Sequence, residues 1–149
     1  MTYDYIYKKF YRLVGDPDFF KLKESFAYDL MNGWLHDAIG DPKIRKVFSE
    51  ISLDDELMEL SFTLDTSVDE LSDNDFVQNV FAQYMVIQWL KPKIDNVLNS
   101  AFIIGGKEEK KIQANYKNNI ERLESLEVGL KKYIRDYGYE NNSYLSGGV

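Results

Sequence analysis

The stretch SDNDFVQNVFAQYMVIQWLKPKIDNVLNSAFIIGGKEEKKIQANYKNNIERLESLEVGLKKYIRDY, Ser72 to Tyr137, decides the fold. It reads as two long helices folded back on each other across Ile104-Gly105-Gly106-Lys107. The first is predicted to start at Ser72, whose hydroxyl can cap a free amide, with Asp75 as the acid of a capping box. Val80, Tyr84, Ile87, Leu90, Ile94 and Ala101 recur at helical spacing, and Phe76, Phe81, Met85 and Trp89 add a second apolar strip. So wide an apolar face predicts burial on more than one side. The second helix carries a narrower seam: Ile112, Tyr116, Ile120, Leu123, Leu126, Leu130, Tyr133 and Tyr137. Two helices of about 28 residues would each be about 42 Å long. Gly105 and Gly106 supply the turn, and Glu108-Glu109 suit the start of the following helix. Pro92, just after Trp89, removes a backbone hydrogen bond and should kink or split the first helix.

Upstream of this pair the sequence predicts shorter helices. Tyr3 to Val14 carries a stripe of Tyr3, Ile6 or Tyr7, Phe10, and Leu13 or Val14, stopped by Gly15-Asp16-Pro17. A second helix is expected from about Asp18, read as its cap, to Ile39, burying Phe19, Leu22, Phe26, Leu30, Trp34 or Gly33, and Ala38. Gly33 lies inside it and reads either as room for a close neighbour or as a tolerated cost. Gly40-Asp41-Pro42 ends it. Lys43 to Ile51 reads as a further short helix, with Ile44, Val47, Phe48 and Ile51 inward. Leu60 to Leu64 alternates and admits a short strand. Downstream, the apolar stripe fades after Tyr137. The expected architecture is therefore all-α: a helical bundle organised on a long antiparallel hairpin, as one domain over 1–137, with an extended tail over 138–149.

Composition excludes several function classes. The 149 residues suffice for one domain with a real core. Cysteine is absent, which removes disulfides and thiolate chemistry. Met1-Thr2-Tyr3-Asp4 lacks a charged region followed by an apolar run, so no secretory leader is expected. No apolar run is long enough to span a bilayer. The net charge is −7, and nine acids fall between Asp54 and Asp75 without one Lys or Arg. Such a surface repels phosphates and argues against ordinary DNA binding. It reads either as a solvated acidic segment or as a wall past which DNA slides. Aromatic residues reach 15%, with eleven Tyr. They suit either contact surfaces or half-buried packing.

Motifs of chemistry are missing. His36 is the only histidine, and no carboxylate stands at ligand-motif spacing from it. Asp69, Asp73 and Asp75 lack the central glycine and closing glutamate of a calcium loop. Gly105-Gly106-Lys107 lacks the longer glycine-framed turn of a phosphate loop, and two glutamates follow it. No cofactor, metal site or catalytic residue is expected, and the chain is read as a non-enzyme.

Three stretches carry a resemblance: Met85-Val86-Ile87-Gln88-Trp89-Leu90-Lys91-Pro92-Lys93, Gly105-Gly106-Lys107-Glu108-Glu109-Lys110, and Ile134-Arg135-Asp136-Tyr137-Gly138-Tyr139 with Asn142-Ser143-Tyr144-Leu145. Together they resemble small helical proteins from the structural gene block of tailed bacteriophages and prophages of Gram-positive bacteria, which includes head-to-tail connector (head completion) proteins. The resemblance covers the second half of the chain. It extends more loosely into the first, through Phe26 to Leu35 and Ile44 to Phe48. It implies a virion protein of the neck, made in the bacterial cytoplasm. It would assemble on the portal protein as a ring of about twelve copies, with DNA passing through. On that implication Tyr137, Tyr139, Tyr144 and Leu145 would contact a partner, and Asp54, Asp55, Glu56, Asp69 and Glu70 would face the channel. Trp89, Pro92, Gly105 and Gly106 would be structural. The alternative from the residues alone is a regulatory helical protein of a mobile element that binds one host or phage protein.

Overall fold

The computed structural model describes the backbone of residues 1–104 and 106–140 and the side chains of 1–94 and 117–138. Among the described residues, six helices and one hairpin of strands follow in order: α1 (Tyr3–Val14), α2 (Pro17–Phe20), α3 (Glu24–Gly40), α4 (Pro42–Arg45), β1 (Phe48–Asp54), β2 (Glu59–Leu64), α5 (Glu70–Ile104) and α6 (Gly106–Glu140).

The all-α expectation is overturned. The chain is 72% helical but contains a two-stranded antiparallel sheet. Ile44, Val47, Phe48 and Ile51 do fit a helical period, yet Ile51 and Leu53 alternate with Ser52, as Leu60, Phe62 and Leu64 alternate with polar residues. Short apolar runs satisfy both periods. The turn breaks the tie. The Asp54 carboxylate accepts the amides of Glu56 and Leu57 at 3.0 and 3.1 Å, and Met58 takes a positive φ of 55°. That folds the chain back and pairs Asp54 with Glu59, Leu53 with Leu60, and Ile51 with Phe62. The helix expected over Lys43–Ile51 is thereby cut to one turn. A register shift lies between Phe48 and Glu50, at the far end of the hairpin. The free edge of β2 is covered by the chain start: Leu60 N donates to the Met1 carbonyl at 2.7 Å, and Tyr3 N donates to that of Met58 at 2.9 Å.

The helix expected over Asp18–Ile39 is two helices. Asp16, not Asp18, caps the first, accepting from Asp18 N at 3.0 Å with Pro17 in the first turn. The restart at Glu24 rotates the buried stripe of α3 to Ala27, Met31, Leu35 and Ala38, and leaves Phe26 exposed. A Cβ on Gly33 would meet nothing within 4 Å, so this glycine admits no close neighbour. Gly15 ends α1 in the left-handed region at φ 56°, where a side chain would be strained.

α5 is the central helix. Phe76, Val77, Val80, Phe81, Ala82, Met85, Val86, Ile87 and Leu90 are all buried. It is capped by Asp69, which accepts from Ser72 N at 2.7 Å, rather than by Ser72. Pro92 does not split it. α1, α3 and α6 all pack against it. α5 and α6 run antiparallel where their side chains are described: Phe76 stacks on Tyr137 at 3.9 Å, Asn79 bonds Tyr133 at 3.1 Å, and Lys91 faces Glu127 at 3.8 Å. The expected hairpin turn across Ile104–Lys107 and the extended tail are not shown. Gly105 and residues 141–149 lie outside the described residues, and α6 continues to Glu140, past the expected start of the tail.

The aromatic excess is used mostly in packing. Tyr3, Tyr7, Phe10, Phe19, Phe76 and Phe81 are fully buried, and among the described tyrosines only Tyr5 is more than half exposed. Phe19 sits edge-on to Phe10 and Trp89, at 4.9 and 5.2 Å, where aromatic pairs add to simple burial. Asp16 ties this cluster together. It accepts the Trp89 indole N–H at 2.8 Å and pairs with Lys93, which also lies 4.5 Å from the Trp89 ring centre. Burial alone would raise the Asp16 pKa, but these donors hold it below the ordinary value.

Candidate functional site

The site is built where α4, the end of β2 and the last described turns of α6 meet. Asp41 caps α4 through Lys43 N at 2.9 Å, and Pro42 starts the helix. That single turn buries Ile44 and leaves Lys43 and Lys46 exposed. On α6, Lys131 and Arg135 are four residues apart and share one face. Ile134 lies between them, half-buried. The two pairs of cations frame a groove of about 660 Å³ with Val47, Phe76, Ile134 and Tyr137 in its walls and Asp65 and Thr66 at its edge. A second hollow of about 270 Å³ shares Lys43, Lys131 and Ile134 with the first and adds Tyr84, Ile87, Leu130 and Lys91.

One wall is set by a buried carboxylate. Asp73, only 8% exposed, accepts the Val68 amide at 3.0 Å and the hydroxyls of Ser67 and Tyr137. Desolvation pushes its pKa up, but these three donors outweigh it and hold the group below the ordinary carboxylate range. Burial and the neighbouring Asp73 push the Tyr137 hydroxyl well above its ordinary value, so it stays protonated and donates. The network pins the 65–69 loop to α6, and the Phe76–Tyr137 stack closes the floor beneath it.

Charge makes this groove distinct. In a chain of net charge −7 its rim gathers Lys43, Lys46, Lys131 and Arg135 against one acid, Asp65. Among the described residues, Lys43, Lys46 and Lys131 have no ion pair, and Arg135 has only an exposed contact of 3.4 Å with Asp136. Such a contact holds little energy. The arrangement offers an apolar floor and uncompensated cations. It suits capture of an acidic, partly apolar surface.

The expected site residues are scattered. Tyr137 stacks on Phe76, donates to Asp73 and lines the groove. The side chains of Tyr139, Tyr144 and Leu145, like Gly105 and the surroundings of Gly106, lie outside the described residues. Trp89 joins the aromatic cluster and Pro92 is exposed on α5. The acidic segment divides in two. Asp54, Asp55 and Glu56 form the tip of the β-hairpin, whereas Asp69 and Glu70 open α5. Asp55 accepts from Tyr3 Oη at 2.8 Å and from His36 Nε2 at 2.9 Å, which latches the tip to α1 and α3. The Tyr3 bond, then the His36 bond, hold the Asp55 pKa down. His36 is therefore a hairpin latch. Among the described residues no three His, Asp or Glu side chains gather to hold a metal ion.

The groove cations were absent from the sequence expectations. The available signal was weak: Lys131 and Arg135 border the Leu130–Ile134 seam, and Lys43 and Lys46 border Ile44 and Val47. Each pair reads as ordinary solvated charge until the fold brings the two together. No helix among the described residues is long and apolar enough to cross a membrane. Comparison with protein-family models, with curated proteins and with solved structures returns no match.

Proposed function

We propose that this chain is a non-enzymatic assembly protein that works by docking. In the role its resemblance implies, it is a head-to-tail connector subunit of a tailed phage that binds the portal, forms a ring and lets DNA pass. The observation that carries the docking part is the open groove with an apolar floor and four rim cations on an otherwise acidic chain. Interfaces favour a desolvated apolar centre inside a polar rim, and charge complementarity selects the partner and its register. The connector part rests on the sequence resemblance. Within it, Asp69 and Glu70, both exposed at the start of α5, remain the acids available to a DNA passage, because the hairpin tip mixes its acids with apolar side chains.

Quantitative mass spectrometry of purified, nuclease-treated particles tests this reading. A copy number close to that of the portal protein supports the connector role. Absence from intact, infectious particles overturns it. It would then favour the second reading, a regulatory protein of a mobile element, which the same outward-facing groove also suits.

A further inference from the structure

The tip of the β-hairpin is the chemical complement of the groove. Asp54, Asp55, Glu56 and Glu59 surround Leu57 and Met58 there, and all six residues are exposed. Leu57 is 66% exposed and Met58 beside it 38%. The turn is held rigid by the Asp54 bonds to two amides, by the Asp55 latch to His36 and Tyr3, and by backbone pairing to Met1 and Tyr3. The apolar pair is thus presented on a preformed knuckle, and little ordering cost remains to be met on binding.

The groove and the tip cannot meet within one chain. Val47, Asp65 and Thr66, at the groove, flank the Phe48–Leu64 end of the hairpin. The tip lies at the Asp54–Glu59 end. The six residues of β2 separate the two by about 20 Å at the rise of an extended strand. We infer that the groove receives the hairpin tip of a second copy of this chain, with Leu57 on the Phe76–Ile134 floor and Glu56 and Glu59 facing Lys43, Lys131 and Arg135. The inference rests on the reading of this groove as a protein-docking site. The two surfaces differ, so the contact is head-to-tail and leaves each end of a pair free to add another copy.

The absence of cysteine makes the test direct. Met58→Cys, which leaves Leu57 in place, and Thr66→Cys are made as separate full-length proteins, mixed and oxidised. A mixed disulfide between them is expected in large excess over either homodimer, and it should fall with added salt. Reversing the groove charge (Lys43→Glu, Lys131→Glu, Arg135→Glu) in the Thr66→Cys protein should cut the mixed disulfide by more than about tenfold, since unlike charges across the contact become like charges. Glu56→Lys with Glu59→Lys in the Met58→Cys protein should do the same, leaving the Asp54 turn and Asp55 latch in place. Combining both reversed proteins should restore cross-linking, which a merely unfolded variant could not do. Cross-linking no greater than that of the homodimers, or indifferent to both reversals, overturns the inference. If the groove-reversed chain is then lost from particles while no mixed disulfide forms, the docking reading stands and the groove belongs to a different protein.

Discussion

At the scale of single residues, Asp73 has the largest predicted effect. Its carboxylate satisfies the Val68 amide and two hydroxyls in a nearly closed setting. Asp73→Ala leaves those donors without their acceptor. Leaving buried hydrogen-bonding partners unsatisfied costs about 1–3 kcal/mol, so a loss of about 2–3 kcal/mol is expected from urea unfolding. The pH dependence has a definite sign. The folded pKa lies below the unfolded value, so the folded state binds fewer protons in acid. The contribution is complete above the unfolded pKa of about 4 and disappears as pH falls through the folded one. Asp73→Asn should therefore be less stable at neutral pH and show a flatter acid limb; parallel acid limbs would remove Asp73 as the responsible group. Asp16 is depressed for a related reason, through Lys93 and Trp89, and Asp16→Asn should also change the Trp89 fluorescence. Gly33 acts in the opposite direction. Its surroundings are open, so Gly33→Ala should stabilise by about 0.5–1 kcal/mol through helix propensity, read as a rise in Tm.

Among the elements, the β-hairpin separates what the sequence could tell from what it could not. The stripes of α1 and α5 were legible because each runs for several turns at one period and is buried along its described length. The hairpin was not, because Ile44 to Ile51 satisfies a helix as well as Ile51 and Leu53 satisfy a strand. The deciding features, the Asp54 turn and the left-handed Met58, are local backbone chemistry hidden inside an acidic run. Asp16 and Asp69 displaced Asp18 and Ser72 as caps for a similar reason: several acids stood within reach, and only packing chose among them. The rim of the groove was least legible, since Lys43 and Arg135 are 92 positions apart. Met58 supplies the test at this scale. A non-glycine residue in the left-handed region costs about 1–2 kcal/mol. Met58→Gly should relieve part of that cost, so unfolding should shift to higher denaturant. A shift to lower denaturant would mean that the Met58 side chain itself holds the turn.

For the whole molecule, the distribution of charge matters more than its sum. A net charge of −7 opposes self-association at long range, yet the four groove cations and the four tip acids lie at opposite ends of one hairpin. Copies meeting head-to-tail bring unlike charges together, whereas copies meeting in other orientations mostly bring like charges together, so repulsion itself disfavours the wrong contacts. The Debye length shrinks from about 30 Å at 10 mM salt to about 8 Å at physiological ionic strength. Self-association of the full chain, followed by sedimentation at fixed protein concentration, should therefore weaken steadily as salt rises if the groove–tip attraction governs it. It should strengthen if net repulsion governs. The two mechanisms also differ on substitution. Lys131→Glu with Arg135→Glu makes the chain still more acidic and removes the attraction, so association should vanish at every salt concentration. Glu56→Lys with Glu59→Lys lowers the net negative charge, which by net repulsion alone should promote association; at the groove it places lysine against lysine. Loss of association in both proteins, one more acidic and one less, would single out the local complementarity of groove and tip over any effect of total charge.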